Sequence, residues 1–317
     1  MRAFLKSTEL EIKEAATALK AGHLVAFPTE TVYGLGADAT NQQAVNRIYS
    51  VKGRPSNHPL IVHISSIKSL KKWATNISGY ALALAEEFWP GPMTLILEKD
   101  VLVKDFVTSG QKNIGIRVPS NSIALRLLIE FETLGGIGVA APSANRFGAV
   151  SPTTASAVDS ELGLFLNEKD LIIDGGQSNI GLESTIIDCT GPIPIILRPG
   201  ALTGGMIRKK VGKYSIFNVN RIKASGLIAS HYSPNAKVIL GDFANPGEGF
   251  LALSNIPTPL GAIRLSSPEN LESYAKNLYA ALRFADQQGI NVIVAKPPEG
   301  CGLAEAIKDR LIKASMR

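Results

Sequence analysis

Sulfur chemistry has little to stand on in this sequence. Only two cysteines occur among 317 residues, Cys189 and Cys301. They lie far apart with no CxxC pair, which argues against a disulfide framework or a zinc ribbon and points to a reducing compartment. An uninterrupted apolar run of about 18 residues is also missing, so no membrane span is expected. The first twenty residues scatter charges where a signal peptide would need an apolar stretch, and a cytoplasmic location is the expectation. No G-x-S-x-G, H-E-x-x-H or Walker sequence appears. The four histidines, His23, His58, His63 and His231, are not at metal-ligand spacing, so no metal is expected from a direct protein motif.

What is present is ordinary globular composition, 45% hydrophobic with 19% charged residues, enough for a large buried core. Net charge is +6, and the excess sits early: 24 basic residues oppose 19 acidic ones up to residue 225, against 9 and 8 beyond it. Such an excess suits anionic substrates such as nucleotides or RNA.

Residues 7–22 carry apolar positions at helical spacing and stop at a glycine, which predicts an amphipathic helix. Strands are predicted at HLVAFP, PLIVHI, MTLILE, NIGIRVP, GIGVAAP, DLIIDG, STIIDC and IPIILRP, with helical patterns such as NQQAVNRIYSV, YALALAEEFW and SIALRLLIEF between several of them. Interleaving implies an α/β fold, and the close succession of the last three strands implies a partly antiparallel sheet. After a basic stretch, RKKVGKYS, a fresh unit begins at AKVILGD and runs through two long helical patterns and the strand NVIVAKP. The expected division is residues 1–210, a linker over 211–235, and a small α/β domain over 236–317.

GLGADA at 34–39 fits G-x-G-x-x-A, but PTETVY separates it from the preceding strand and no acid follows about 20 residues on, against a dinucleotide fold. A turn approaching a ligand is the expectation there. KGRPSNHPL at 52–60 places Lys52 and Arg54 beside a stiffening proline with no acid in the stretch, which reads either as a solvated surface or as a seat for a polyanion. Hydroxyls recur in loops after apolar runs, in PTETVYG, APSANRFGAVSPTTA and GLESTIID. Cations, amides and hydroxyls without a nucleophile suit nucleotidyl transfer, where a protein positions reactants and neutralises charge.

In order, PTETVYGLGADA, KGRPSNHPLIVHI, WPGPMTLIL, IGIRVPS, APSANRFGAVSPTTA, GLESTIID and ILRPGA resemble the YrdC-like domain of threonylcarbamoyl-AMP synthases, over roughly residues 8–205. HYSP at 231–234 with a smaller domain behind it is similar to the two-domain form of that family. The resemblance implies a YrdC-like twisted mixed sheet with flanking helices and a smaller C-terminal Rossmann-like α/β domain. It implies that L-threonine, bicarbonate and ATP, with magnesium, give threonylcarbamoyladenylate and pyrophosphate, the adenylate serving a separate transferase that modifies tRNA.

By the same resemblance, Lys52 and Arg54 face the triphosphate and are the catalytic candidates. Arg54, His58, Ser143, Ser151, Arg198 and Tyr232 match nucleotide-contacting positions, His58 standing where many relatives carry asparagine. Thr31, His63 and Ser184 match threonine-binding positions, and Arg117 is a candidate partner for the substrate carboxylate. On an apolar strand a lone histidine such as His63 reads as a core residue, and only the resemblance gives it a ligand role. Tyr232 implies a linker that reaches across the site as a cover. Asn145 fits either a turn or a ligand contact. Two other functions compete: formation of a carbamoyl-adenylate, for which the paired cysteines of hydrogenase-maturation relatives are missing, and a non-catalytic RNA-binding module.

Overall fold

The computed structural model describes residues 4–216, 226 and 231–316, so 217–225 and 227–230 of the expected linker lie outside the described residues. Ten strands form the large sheet: β1 (Val25–Phe27), β2 (Gly34–Asp38), β3 (Ile61–His63), β4 (Met93–Glu98), β5 (Asn113–Arg117), β6 (Val139–Ala140), β7 (Leu171–Ile172), β8 (Thr185–Asp188), β9 (Ile195–Arg198) and β10 (Ser215–Ile216). Their order is β10-β9-β8-β4-β5-β3-β6-β2-β1-β7. β1/β7, β3/β5, β4/β8 and β9/β10 are parallel and the other pairs antiparallel, so the sheet is mixed as expected.

The helices of this domain include α1 (Glu9–Lys20) and α2 (Gln42–Lys52). The first helix starts where its chemistry says it should: Thr8 accepts from the Glu11 backbone and Glu11 answers with its carboxylate, a reciprocal cap that satisfies two otherwise orphaned donors. It buries Ile12, Ala15, Ala16 and Leu19, the periodic apolar positions read from the sequence. α2 ends at Lys52, with Gly53 in the left-handed conformation as its cap.

The expected turn at residues 34–39 is instead strand β2 over residues 34–38, buried from end to end between β6 and β1. Gly34 still lines the cavity described below, while Gly36 serves packing rather than turning. A Cβ on Gly36 would lie 2.8 Å from both Phe27 and Val139, so only glycine lets these two side chains close over the strand.

The small domain has four parallel strands, β11 (Lys237–Leu240), β12 (Gly249–Leu251), β13 (Ile263–Ser266) and β14 (Val292–Ala295), in the order β11-β14-β12-β13. Helices α8 (Leu271–Gln287) and α9 (Leu303–Ser315) pack with it; α3 to α7 are Gly79–Phe88, Asp105–Thr108, Ser122–Thr133, Ala155–Leu162 and Gly204–Val211. The apolar cluster of this domain, with Leu278, Leu282 and Ile307, takes in Val32, Val150 and Leu182 from the large domain. One continuous apolar seam therefore joins the two domains.

Candidate active site

The alternation of β3 puts Ile61 and His63 on one face of the large sheet, and β5 sets Arg117 directly opposite His63. A cavity opens on that face. Its walls include Thr31, Arg54, His63, Arg117, Ser143, Ser184, Arg198 and Tyr232, so eight of the eleven sequence-derived candidates meet in one place.

On one side stands a hydroxyl and imidazole cluster. Thr29 and Thr31 share a hydrogen bond of 2.8 Å between their hydroxyls, which fixes the loop after β1. Arg117 donates to the Thr31 hydroxyl at 2.9 Å and to Glu30 at 2.6 Å. His63 is buried, and burial followed by the neighbouring Arg117 charge lowers its pKa to about 3, so the ring is neutral at physiological pH. Its Nδ1, the Arg117 Nε and the second oxygen of Glu30 have no hydrogen-bond partner among the described residues. Buried polar atoms left in this way ask for a ligand or water.

On the other side are two arginines. Arg198, at the end of β9, donates to the Ser184 carbonyl at 3.1 and 2.9 Å and to the Ser184 hydroxyl at 3.2 Å. That hydroxyl also shares a 2.8 Å bond with Thr94. Arg54 donates to the backbone carbonyls of His58 and Pro59 and lies over the Phe147 ring. Burial pulls its pKa down to about 10, which leaves it charged at neutral pH.

The cavity is capped by the end of the linker. Tyr232 is 1% exposed, stacks on Tyr279 at 5.7 Å, meets the His231 ring edge-on at 4.1 Å and has φ of 62°. Gly226 sits against its hydroxyl and Arg198: a Cβ there would be 2.2 Å from the one and 2.9 Å from the other, at a φ of +77° that itself favours glycine. Lys313 of α9 donates to the Gly226 carbonyl, and the Ser233 amide donates to the Gly148 carbonyl. Gly226 and residues 231–233, here called the strap, are thus held by both domains.

Three candidates are elsewhere. Lys52 is 2% exposed and its ammonium donates to the Ser143 and Asn145 carbonyls, bracing the loop behind the cavity instead of lining it. Burial and then Arg54 lower its pKa well below the ordinary lysine value. His58 contributes its carbonyl to Arg54 and Tyr49 and sets its ring 5.3 Å from Phe147. Ser151 is fully buried and donates to Glu183 at 2.6 Å. Arg117 reaches the cavity, but two of its nitrogens are already given to Thr31 and Glu30 rather than left as an open fork for a substrate. Asn145 resolves as a turn residue whose amide nitrogen donates to the Arg146 and Ala149 carbonyls.

Sequence reasoning missed Glu30 and Glu183. Both were inside quoted motifs, and both are acids set beside hydroxyls at a loop end. Among the described residues no group of three or more His, Cys, Asp or Glu could hold a metal ion. No helix among them is long and apolar enough to cross a membrane.

Comparison with known proteins bears on this geometry. The family model described as "Telomere recombination" matches residues 17–200, and "Threonylcarbamoyl-AMP synthase, C-terminal domain" matches 201–316. The threonylcarbamoyl-AMP synthase of Pyrococcus abyssi is 40% identical over 97% of this chain and 94% of its own length; that of Bacillus subtilis is 36% identical over 98% and 94%. A Vibrio vulnificus protein of the same name is 30% identical over 48% of this chain, covering 81% of itself. The solved structure of P. abyssi Sua5 complexed with L-threonine superposes with a TM-score of 0.88 at 38% identity, over 97% of this chain and 95% of that one. Two matched regions that together span nearly the whole sequence, relatives of one name along its length and a shared two-domain fold converge, and the chain belongs to the threonylcarbamoyl-AMP synthase family in its two-domain form.

Proposed function

We propose that this chain joins L-threonine, bicarbonate and ATP into L-threonylcarbamoyladenylate and pyrophosphate in the cytoplasm, and that a separate transferase passes the threonylcarbamoyl group to tRNA. One observation carries the reading: two buried arginines, Arg54 and Arg198, line one cavity with the neutral His63, Thr31 and Ser184. The cations suit phosphates, and the small polar groups suit an amino acid.

Threonine's amine adds to bicarbonate with loss of water to give a carbamate. A carbamate oxygen then attacks the α-phosphorus, a new P–O bond forms, and the bond to the β-phosphate oxygen breaks as pyrophosphate leaves. No enzyme nucleophile takes part, so the protein's work is to bind, align and neutralise charge. Arg54 and Arg198 face the nucleotide, with Ser143 beside them. Thr31, His63 and Ser184 take threonine. Arg117 orients Thr31, and it reaches a substrate carboxylate by exchanging Glu30. Lys52, Ser151 and the His58 carbonyl support these groups from behind.

Magnesium enters with ATP as part of the substrate, its ligands being phosphate oxygens and water. The strap bearing Tyr232, within a linker over residues 211–235, excludes water from the adenylate when closed. A solved relative, a P. abyssi Sua5 variant, has a histidine and the next tyrosine both changed to alanine. The only His-Tyr step in this sequence is His231–Tyr232.

The test is pyrophosphate release from purified protein with ATP, magnesium and bicarbonate, with and without L-threonine, following the adenylate by mass spectrometry. Threonine-dependent release with a threonylcarbamoyladenylate mass is the expected result. Release that depends on carbamoyl phosphate instead, or salt-sensitive RNA binding with no adenylate formed, would overturn the proposal.

A further inference from the structure

Glu183 is a wall residue whose carboxylate is held from three directions. One oxygen accepts from Ser151 at 2.6 Å; the other accepts from the Tyr279 hydroxyl at 2.8 Å and the Arg310 Nε at 2.9 Å. Ser151 belongs to the large domain. Tyr279 and Arg310 come from α8 and α9 of the small one, and both are fully buried.

A structural role as domain adhesive is the simple alternative, but it explains little. The seam already carries an apolar cluster, and a buried ion pair adds less to adhesion than well-packed apolar side chains of similar volume. What the pair adds is geometry. Glu183 precedes Ser184, which lines the cavity and takes two Arg198 contacts on its carbonyl and one on its hydroxyl. Fixing the Glu183 side chain therefore fixes the backbone that aims Ser184 and Arg198. The same two small-domain residues also seat the strap, since Tyr279 stacks on Tyr232 and the Arg310 guanidinium lies 5.2 Å from its ring centre. Burial pushes the Glu183 pKa up, but Arg310, then Arg198, with the Ser151 hydrogen bond, outweigh it and hold the group ionised, at about 2.

We propose that Arg310 and Tyr279 are positioning residues of the adenylate-forming site, acting through Glu183 on Ser184 and Arg198. The small domain completes a site whose substrate contacts it does not make, and this rests on the function proposed above.

The test uses the full chain and the variants Tyr279→Phe, Arg310→Met, Arg310→Lys, Glu183→Gln and Arg310→Met/Glu183→Gln. Pyrophosphate release gives kcat and KM for ATP and threonine, calorimetry gives the ATP Kd, and urea unfolding checks the fold. Tyr279→Phe loses one hydroxyl while keeping its stack on Tyr232, and kcat/KM is expected to fall about tenfold, the weight of a hydrogen bond to a charged group. Arg310→Met is expected to lose about 100-fold, largely in kcat, with partial rescue by Arg310→Lys. The double variant should lose less than the product of its parents, because both act on one interaction.

Folded Tyr279→Phe and Arg310→Met proteins within about twofold of wild type in kcat/KM and ATP Kd would leave only adhesion and sink the proposal. If Arg310→Met does not fold, Tyr279→Phe decides alone. Should wild type itself release no threonine-dependent pyrophosphate, the proposed function fails, and the clamp is judged on the ATP Kd: about tenfold weaker in Tyr279→Phe supports it, and unchanged overturns it.

Discussion

The large sheet mixes parallel and antiparallel pairs while the small one is parallel throughout, and the two domains differ just as clearly in where they put buried charge. Among the described residues the large domain buries Glu30, Lys52, Arg54, Arg117, Glu183 and Arg198 around or just behind one cavity, and only the carboxylates Asp38, Asp170 and Asp188 elsewhere. The small domain's one buried charged side chain, Arg310, points out of its own core into its neighbour. Burying a charge costs free energy unless it is paired, so a concentration of such groups at one place points to something other than cohesion. In one domain that is a surface for ligands, in the other a support for that surface.

The sharpest way to break this contrast is to remove the small domain. Deleting residues 226–317 takes away the strap, Tyr279 and Arg310 together and leaves Glu183 with a single side-chain partner. Pyrophosphate release is expected to drop at least about 100-fold, in line with breaking one buried ion pair. Full activity of the truncated protein under matched conditions would show that the large domain needs no support.

Within the large domain, the two sides of the cavity should separate kinetically. Arg198→Met is expected to weaken ATP binding by about 30-fold. His63→Gln should raise the threonine KM about tenfold while the ATP Kd stays near wild type, because His63 is paired across the sheet with Arg117 and makes no hydrogen bond with Arg54 or Arg198 among the described residues. Equal effects on both substrates would merge the two sides into one.

Lys52→Met tests the distinction between wall and brace. It leaves the Ser143 and Asn145 carbonyls without their ammonium, and a stability loss of about 2–4 kcal/mol in urea unfolding is expected. A folded, stable variant with a large increase in ATP KM would instead make Lys52 a phosphate contact.

Acid should act through the buried histidines. His63 and His231 have folded pKa values of about 3, burial being the largest cause in each, against 6.5 in the unfolded chain. Between those limits the unfolded state takes up the protons first, so stability is complete above 6.5 and falls as pH drops toward 3. Each histidine contributes a slope of up to about 1.4 kcal/mol per pH unit. Glu183 adds its loss later, below its unfolded value of 4.5 and down to about 2. His63→Gln should remove one proton from the slope measured by urea unfolding between pH 6 and 4; an unchanged slope would mean the ring is charged in the folded state. The smallest effect is expected at Leu164→Ser, 98% exposed, within about 0.5 kcal/mol of wild type.

Much of this was legible beforehand, for physical reasons. Strands such as MTLILE and STIIDC show as apolar runs, and α1 shows as a periodic pattern with its own cap. β2 did not, because glycines chosen for close packing look the same in sequence as glycines chosen for a turn. The cavity residues were found by motif, but their direction was not. Nothing local in KGRPSNHPL says that Lys52 turns inward to two carbonyls while Arg54 faces the cavity. Glu183 and Arg310 are 127 positions apart, so their pairing is a property of domain docking and carries no local signal.

Tyr232 holds a left-handed backbone that costs a side-chain-bearing residue about 1–2 kcal/mol, equivalent to a ratio of roughly 5–30 between relaxed and native populations. The strap is in that sense a latch under tension. Its stacks and hydrogen bonds must outweigh a standing bias toward release, and a nucleotide that touched it would add to the closed side. Hydrogen exchange at the Ser233 amide, bonded to the Gly148 carbonyl, would read that balance directly, slowing as ATP is added.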